Sequence, residues 1–105
     1  MDQNKTPLFD RIKEHAQKNS YSFHVPGHKS GQVFPDLHQN PFQEILPFDL
    51  TELSGLDDLH QPVGAIREAE ALAADLYGVK RTFFLVNGTT SGNLAMILSV
   101  CAPGD

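Results

Sequence analysis

A chain of 105 residues suits one domain or a piece of one, and 40% hydrophobic with 20% charged residues suits a folded protein rather than a disordered one. The formal net charge of −5 and the lack of a Lys/Arg block argue against nucleic acid as the main partner. A single cysteine excludes an intrachain disulfide. The polar N-terminus lacks a secretory signal and no apolar run is long enough to span a bilayer, so we expect a cytoplasmic protein without a membrane partner.

The first predicted element is a helix over Thr6–Asn19, because a hydroxyl residue followed by proline is a good helix start. Leu8 and Ile12 continue it at helical spacing. A proline-rich stretch with few periodic runs then extends over residues 20–62, with a short helix expected over Phe42–Leu46. So long a loop region is uncommon in a compact domain unless it is functional or packs on a partner.

The second half of the chain reads as helix, strand and helix. A helix is predicted over Gly64–Tyr77, with Gly78 as its C-terminal stop. Arg81–Val86 is predicted as a buried strand of β-branched and aromatic residues. A last helix is predicted from about Ser91 to Cys101, and it is apolar all round. In the helix predicted over Gly64–Tyr77, the apolar stripe expected to pack in the core consists of Ile66, Ala69, Ala73, Leu76 and Tyr77.

These elements do not close a core by themselves. One strand makes no sheet, and the predicted helices cannot cover an all-apolar last helix. We therefore expect the chain to be the front end of a larger α/β protein. Residues 1–62 would form an N-terminal helix and loop-rich arm, and residues 63–105 would form the start of an incomplete major domain.

The junction between the predicted strand and the last helix is a candidate anion site. A strand, a glycine turn and hydroxyl residues would aim backbone and side-chain donors of Gly88, Thr89, Thr90 and Ser91 at one point near a helix N-terminus. The same hydroxyl residues are also ordinary N-caps, so an internally capped helix is the competing explanation. The P-loop pattern fails because the turn has no lysine, and the glycine spacing does not fit a dinucleotide fingerprint.

Three motifs in order resemble the start of the major domain of the ornithine/lysine/arginine decarboxylases. They are His24-Val25-Pro26-Gly27-His28-Lys29, then Asp49-Leu50-Thr51-Glu52-Leu53 with Gly55-Leu56-Asp57-Asp58-Leu59-His60, then Leu85-Val86-Asn87-Gly88-Thr89-Thr90-Ser91-Gly92-Asn93. The resemblance implies the large domain of a fold-type I enzyme dependent on pyridoxal 5′-phosphate (PLP), a three-layer α/β/α domain with a mostly parallel sheet. It implies that Gly88, Thr89, Thr90 and Ser91 bind the cofactor phosphate.

The resemblance also implies the reaction, the decarboxylation of arginine, lysine or ornithine to an amine of the polyamine pathway, with arginine as our first guess. It implies a homodimer or larger homo-oligomer. The family's Schiff-base lysine, ring-pairing aspartate and ring-stacking histidine would lie downstream, so no catalytic residue is expected here and the isolated chain should be inactive. Lys29 imitates the end of the Schiff-base motif but lacks its serine, so we expect a local structural role for it.

Other polar residues have two explanations each. His24 and His28 are four apart, but Pro26 and Gly27 break any helix between them, so hydrogen-bonded loop histidines are favoured over a metal site. The acidic cluster favours turn and capping chemistry, with attraction of a cationic substrate by Glu52 and Asp57 as the functional alternative. This cluster consists of Asp49, Glu52, Asp57 and Asp58.

Two other functions stay open. An aminotransferase or another lyase of the same fold would also bind phosphate at this helix, although the ordered arm motifs argue against it. A non-catalytic module that pairs with a longer subunit through its arm is the reading from a different class.

Overall fold

The computed structural model describes residues 1–18, 21–34 and 42–105. They form three α-helices, which we label α1 (Pro7–Ala16), α2 (Ala65–Tyr77) and α3 (Gly88–Val100). The described residues between α1 and α2 include the short 3₁₀ turns Lys29–Gly31 and Leu46–Phe48. No helix in the described ranges has the length and apolar character needed to cross a bilayer.

Helix α1 starts where the sequence predicts and ends earlier. Pro7 occupies the first turn, and Thr6 lies at the N-cap position, but its hydroxyl donates to the Asp10 carboxylate at 3.0 Å and caps no backbone N–H. The helix ends at Ala16, and the expected end, Asn19, lies outside the described residues. Helix α1 packs on α2, so the predicted arm and the predicted domain start contact each other. The boundary at residue 62 stays a prediction.

The short helix expected over Phe42–Leu46 forms differently. Phe42–Ile45 make a turn in which the Ile45 and Leu46 N–H groups both donate to the Phe42 carbonyl, at 2.9 and 3.1 Å. The helical residues proper are the 3₁₀ turn Leu46–Phe48. Pro47 explains the difference, because it has no N–H with which to extend an α-helix.

Helix α2 confirms the clearest helix prediction. It runs over Ala65–Tyr77, and Gly78 ends it in the left-handed conformation, with φ 65°. The Val79 N–H donates to the Ala74 carbonyl at 2.9 Å, which closes the C-terminal turn. The predicted stripe is correct only in part: Leu76 and Tyr77 are exposed. No described segment packs over that end of the stripe deeply enough to bury them.

The α2 N-terminus is capped by Asp57, seven residues before the N-cap position at Gly64. One carboxylate oxygen accepts from Gly64, Ile66 and Arg67 at 2.8 to 3.2 Å. The other accepts from Val63 and Asp58 at 2.9 and 3.0 Å. Burial of Asp57 raises its pKa, but the backbone N–H groups outweigh this effect and lower the pKa from 3.8 to about 2.

The segment 81–86, predicted as a strand, pairs with nothing. The described residues contain one isolated bridge, Ser54–Leu56, and no strand. A strand exists through hydrogen bonds to a neighbouring strand, and the described residues supply no such neighbour. The α/β sheet therefore stays a prediction, and the structure shows only helices that would flank it.

Helix α3 is exposed on all sides despite its apolar sequence. Leu94, Met96, Ile97, Leu98 and Val100 are each more than half exposed. Among the described residues, only Leu72 and Ala74 form a buried apolar core. The chain therefore leaves an apolar surface of the kind that proteins normally cover.

We predict that Asp57→Asn destabilises the chain by about 1–2 kcal/mol at neutral pH, because a neutral amide is a weaker helix cap than a carboxylate. Since folding depresses the Asp57 pKa, its contribution is present above the ordinary value of 3.8 and lost as pH falls towards about 2. The stability gap between wild type and variant should therefore close over that interval.

Thermal unfolding followed by helical circular dichroism at several pH values measures the gap. Glu52→Gln is the matched control, because Glu52 makes no hydrogen bond or ion pair in the described ranges and its substitution should change stability little. If the stability difference between wild type and Asp57→Asn stays the same at the lowest pH as at neutral pH, the capping role of Asp57 is contradicted.

Candidate functional site

The turn into α3 is built from two left-handed residues. Asn87 has φ 62° and Gly88 has φ 71°. Asparagine tolerates this conformation better than most side chains, and glycine adopts it freely. A Cβ placed on Gly88 would meet nothing within 4 Å, so the backbone angle and not crowding favours glycine there. The Gly88 backbone therefore stays open to an approaching ligand.

The first turn of α3 has unused hydrogen-bond donors. No side chain caps the helix, and no acidic residue lies in its first turn. In a helix that begins at Gly88, the N–H groups of Gly88, Thr89 and Thr90 have no carbonyl within the helix to bond, whereas the Ser91 N–H is the first to reach one. Together with the helix dipole, these donors make the end of α3 attractive to an anion.

The structure gives Ser91 a different role from its two threonine neighbours. Its hydroxyl donates to the Val86 carbonyl at 2.5 Å and to the Gly88 carbonyl at 2.9 Å. The Thr89 and Thr90 hydroxyls make no hydrogen bond within the described part of the chain. In this structure Ser91 fastens the turn that presents the other donors, and its direct contact with an anion stays a prediction.

The capped-helix explanation required one of the three hydroxyl residues to lie at the N-cap. The helix begins at Gly88 instead of Ser91, which places all three inside the first turn. Asn87 holds the N-cap position and its side chain makes no capping bond. Internal capping by these residues therefore does not occur.

The first motif forms a hydrogen-bonded loop. The Lys29 ammonium donates to the His24 carbonyl at 3.0 Å, and the His24 Nδ1 lies 2.7 Å from the Val25 carbonyl. His28 Nε2 lies 3.1 Å from an Asp49 carboxylate oxygen, and the His28 side chain is 12% exposed. These contacts agree with loop histidines and with a local role for Lys29. No three His, Cys, Asp or Glu side chains converge as a metal site within the described ranges.

The acidic cluster acts mostly on the fold. Asp49 contacts His28, Asp57 caps α2, and Asp58 accepts the N–H groups of two following residues at 2.8 and 3.3 Å. For Asp57 the structure favours the capping explanation over attraction of a cationic substrate, because backbone N–H groups surround its carboxylate. Glu52 alone keeps a carboxylate free of these structural contacts.

The sequence did not predict the long-range hydrogen bonds of Asp57 or the burial of Glu70. A local cap contacts N–H groups two or three residues later, whereas Asp57 reaches as far as Arg67. Glu70 is only 3% exposed, although its place in an amphipathic helix suggested the polar face. Both depend on tertiary packing, which leaves no local signal in the sequence.

With this geometry in place, comparison with known proteins defines the class. The sequence model of the family described as "Orn/Lys/Arg decarboxylase, major domain" matches residues 6–105. The chain belongs to this family and corresponds to the N-terminal part of its major domain. No solved structure matches the chain.

The chain is similar to several curated proteins along nearly its whole length. It is 61% identical over 100 residues to the uncharacterized protein YaaO of Bacillus subtilis (strain 168), covering 95% of this chain and 21% of the relative. It is 42% identical to an arginine decarboxylase of the same organism, covering 100% of this chain and 22% of the relative. It is 30% identical to an ornithine decarboxylase of Haemophilus influenzae, covering 94% of this chain and 15% of the relative. The chain thus spans about a fifth of the Bacillus subtilis relatives.

We predict that Gly88→Ala destabilises the turn into α3 by about 1 kcal/mol, because alanine resists the left-handed region that Gly88 occupies. Gly27→Ala is the matched control: a Cβ there also meets nothing within 4 Å, and Gly27 lies outside the left-handed region. Urea unfolding of both variants measures the difference. Equal stability for the two variants would show that the left-handed turn is not maintained in solution.

Proposed function

We propose that the chain is the N-terminal portion of a PLP-dependent decarboxylase of basic amino acids, and that the start of α3 binds the cofactor phosphate. The observation that carries the proposal is the uncapped first turn of α3 behind the left-handed Asn87–Gly88 turn. Family membership supplies the reaction class, and the named decarboxylases among the relatives support it.

The residues present fit a phosphate monoester. The backbone N–H groups of Gly88, Thr89 and Thr90 can each donate to it, and the two threonine hydroxyls add donors on the same turn. Ser91 keeps the turn in shape through the Val86 and Gly88 carbonyls. PLP, when bound, would supply the ring that accepts electrons as CO₂ leaves.

The substrate is one of arginine, lysine and ornithine, and we favour arginine. The named relatives at 42–44% identity are arginine decarboxylases, whereas the ornithine and lysine decarboxylases lie at 28–34%. Removal of CO₂ would give the corresponding amine for polyamine synthesis. The proposal includes a cytoplasmic homodimer or larger homo-oligomer, as the resemblance implies.

None of the five lysines of the chain lies in the turn 87–91 that would hold the phosphate. Lys29 is tied to the His24 carbonyl, and Lys5 pairs with Glu68 at 3.6 Å. The cofactor-bonding lysine is expected in the part of the domain that follows this region in longer relatives. The chain alone would therefore contribute binding groups without the group that starts the chemistry.

The reaction can be tested in a completed enzyme, in which residues 1–105 of this chain replace the matching region of the Bacillus subtilis arginine decarboxylase. We predict that it releases CO₂ from arginine faster than from lysine or ornithine, and that the 105-residue chain alone releases none. Each assay contains added PLP and measures CO₂ directly. Decarboxylation by the chain alone would overturn the assignment of the chemistry to later residues.

The phosphate site can be tested separately from turnover. We predict that Thr90→Val weakens PLP binding to the completed enzyme about tenfold, because one charge-assisted hydrogen bond is lost. Binding of pyridoxal, which lacks the phosphate, should change little. Fluorescence titration measures both affinities.

Ser99→Ala is the control for this substitution, since Ser99 lies on the same helix and its hydroxyl donates to the Met96 carbonyl far from the first turn. If Thr90→Val leaves PLP affinity unchanged, the phosphate binds elsewhere.

A second candidate is a non-catalytic module that pairs with a longer subunit. The exposed apolar side chains of α3 favour it, because such a surface suits a protein partner. A completed enzyme that folds and binds no PLP would favour this candidate over the decarboxylase.

A further inference from the structure

Glu70 is the most deeply buried residue of the described chain. Its exposure is 3%, below that of Leu72 and Ala74 on the same helix. Burying a carboxyl group costs free energy unless nearby groups compensate, so its position needs an explanation that packing alone does not give.

The groups around Glu70 compensate only in part. The Phe84 N–H lies 3.5 Å from Oε1, which is long for a hydrogen bond, and an Arg67 guanidinium nitrogen lies 3.8 Å from Oε2. Oε2 has no hydrogen-bond partner within the described residues. The carboxyl group thus faces the backbone of the segment 81–86 from helix α2.

That segment connects Glu70 to the first turn of α3. Leu85 packs so closely on Gly92 that a Cβ at Gly92 would lie 2.5 Å from its Cδ1 atom. The Val86 carbonyl accepts the Ser91 hydroxyl. Any shift of Phe84 would therefore move two contacts that hold the start of α3.

A cavity of about 590 Å³ lies beside this connection. It is lined by Glu70, by the segment 83–86 and by Ser91 and Gly92 at the start of α3. The segment has open space on this side. The 3.5 Å contact between the Phe84 backbone nitrogen and the Glu70 carboxyl group is a polar link between the segment and α2.

We propose that Glu70 is a positioning residue for the phosphate site: its carboxyl group sets the place of Phe84 and, through Leu85 and Val86, that of the Gly88–Thr90 donors. The inference rests on the proposed function, since it assigns a support to the same site. This role depends on the length of the Glu70 side chain more than on its charge, because the group that it contacts is a backbone N–H.

The test compares two conservative variants in the completed enzyme. Glu70→Asp keeps the charge and shortens the side chain by one CH₂ group, whereas Glu70→Gln keeps the length and an oxygen acceptor. We expect Glu70→Asp to weaken PLP binding about fivefold, the size of one lost hydrogen bond, and Glu70→Gln to stay within about twofold of wild type. Pyridoxal binding should be unchanged in both variants.

Glu68→Asp is the matched control, since the same change occurs on the exposed face of α2, where Glu68 pairs with Lys5. Equal losses of PLP and pyridoxal affinity in Glu70→Asp would indicate general damage to the fold and overturn the inference. So would equal PLP affinities for Glu70→Asp and Glu70→Gln.

The two proposals fail differently. A folded wild-type completed enzyme that binds no PLP overturns the proposed function and this inference with it. A wild-type enzyme that binds PLP, with Glu70→Asp binding it equally well, overturns the inference alone. Amide hydrogen exchange at Phe84 gives a second measure, with faster exchange expected in Glu70→Asp and wild-type exchange contradicting the contact.

Discussion

The Asp57 carboxylate binds the backbone N–H groups at the start of α2, whereas no side chain of the described residues caps the start of α3. Both helices have thirteen residues and the same need for an anion or a cap at this end. In α2 the chain satisfies the need internally, with a partly desolvated carboxylate. In α3 the three hydroxyl residues that could cap the helix lie inside it. The α3 donors are therefore the groups at which we propose that the cofactor phosphate binds.

The exposed apolar surface has the same origin as the unpaired segment 81–86. A segment rich in Phe, Leu and Val followed by an all-apolar helix is suited to a covered sheet and the helix layer beside it. Phe83, Leu85 and most of α3 are instead half exposed or more. The relatives named in the comparisons are several times longer than this chain. These exposed side chains are of the kind that a covered sheet and its helix layer would bury.

The sequence predicted those parts that local signals decide. Helix α2 and its glycine stop follow from periodicity and from the need for a left-handed residue at Gly78. The start of α3 was placed three residues late, because Thr89, Thr90 and Ser91 are all acceptable N-caps and nothing local excludes them. Capping chemistry was expected for Asp57, but not contacts as far as Arg67, ten residues away, and the contact of Glu70 with Phe84, fourteen residues away, left no local signal.

The three motifs that carry the family resemblance are linked in space by polar contacts. His28 of the first motif contacts Asp49 of the second, and Asp57 of the second fixes the start of α2. Helix α2 in turn carries Glu70 to the backbone of Phe84, just before the third motif.

This order assigns a structural task to several polar residues of the motifs, whereas the donors at the start of α3 have no capping side chain within the described residues. Those donors are the Gly88–Thr90 N–H groups and the two threonine hydroxyls. These donors, at the end of this series of contacts, are the groups that we propose bind the cofactor phosphate.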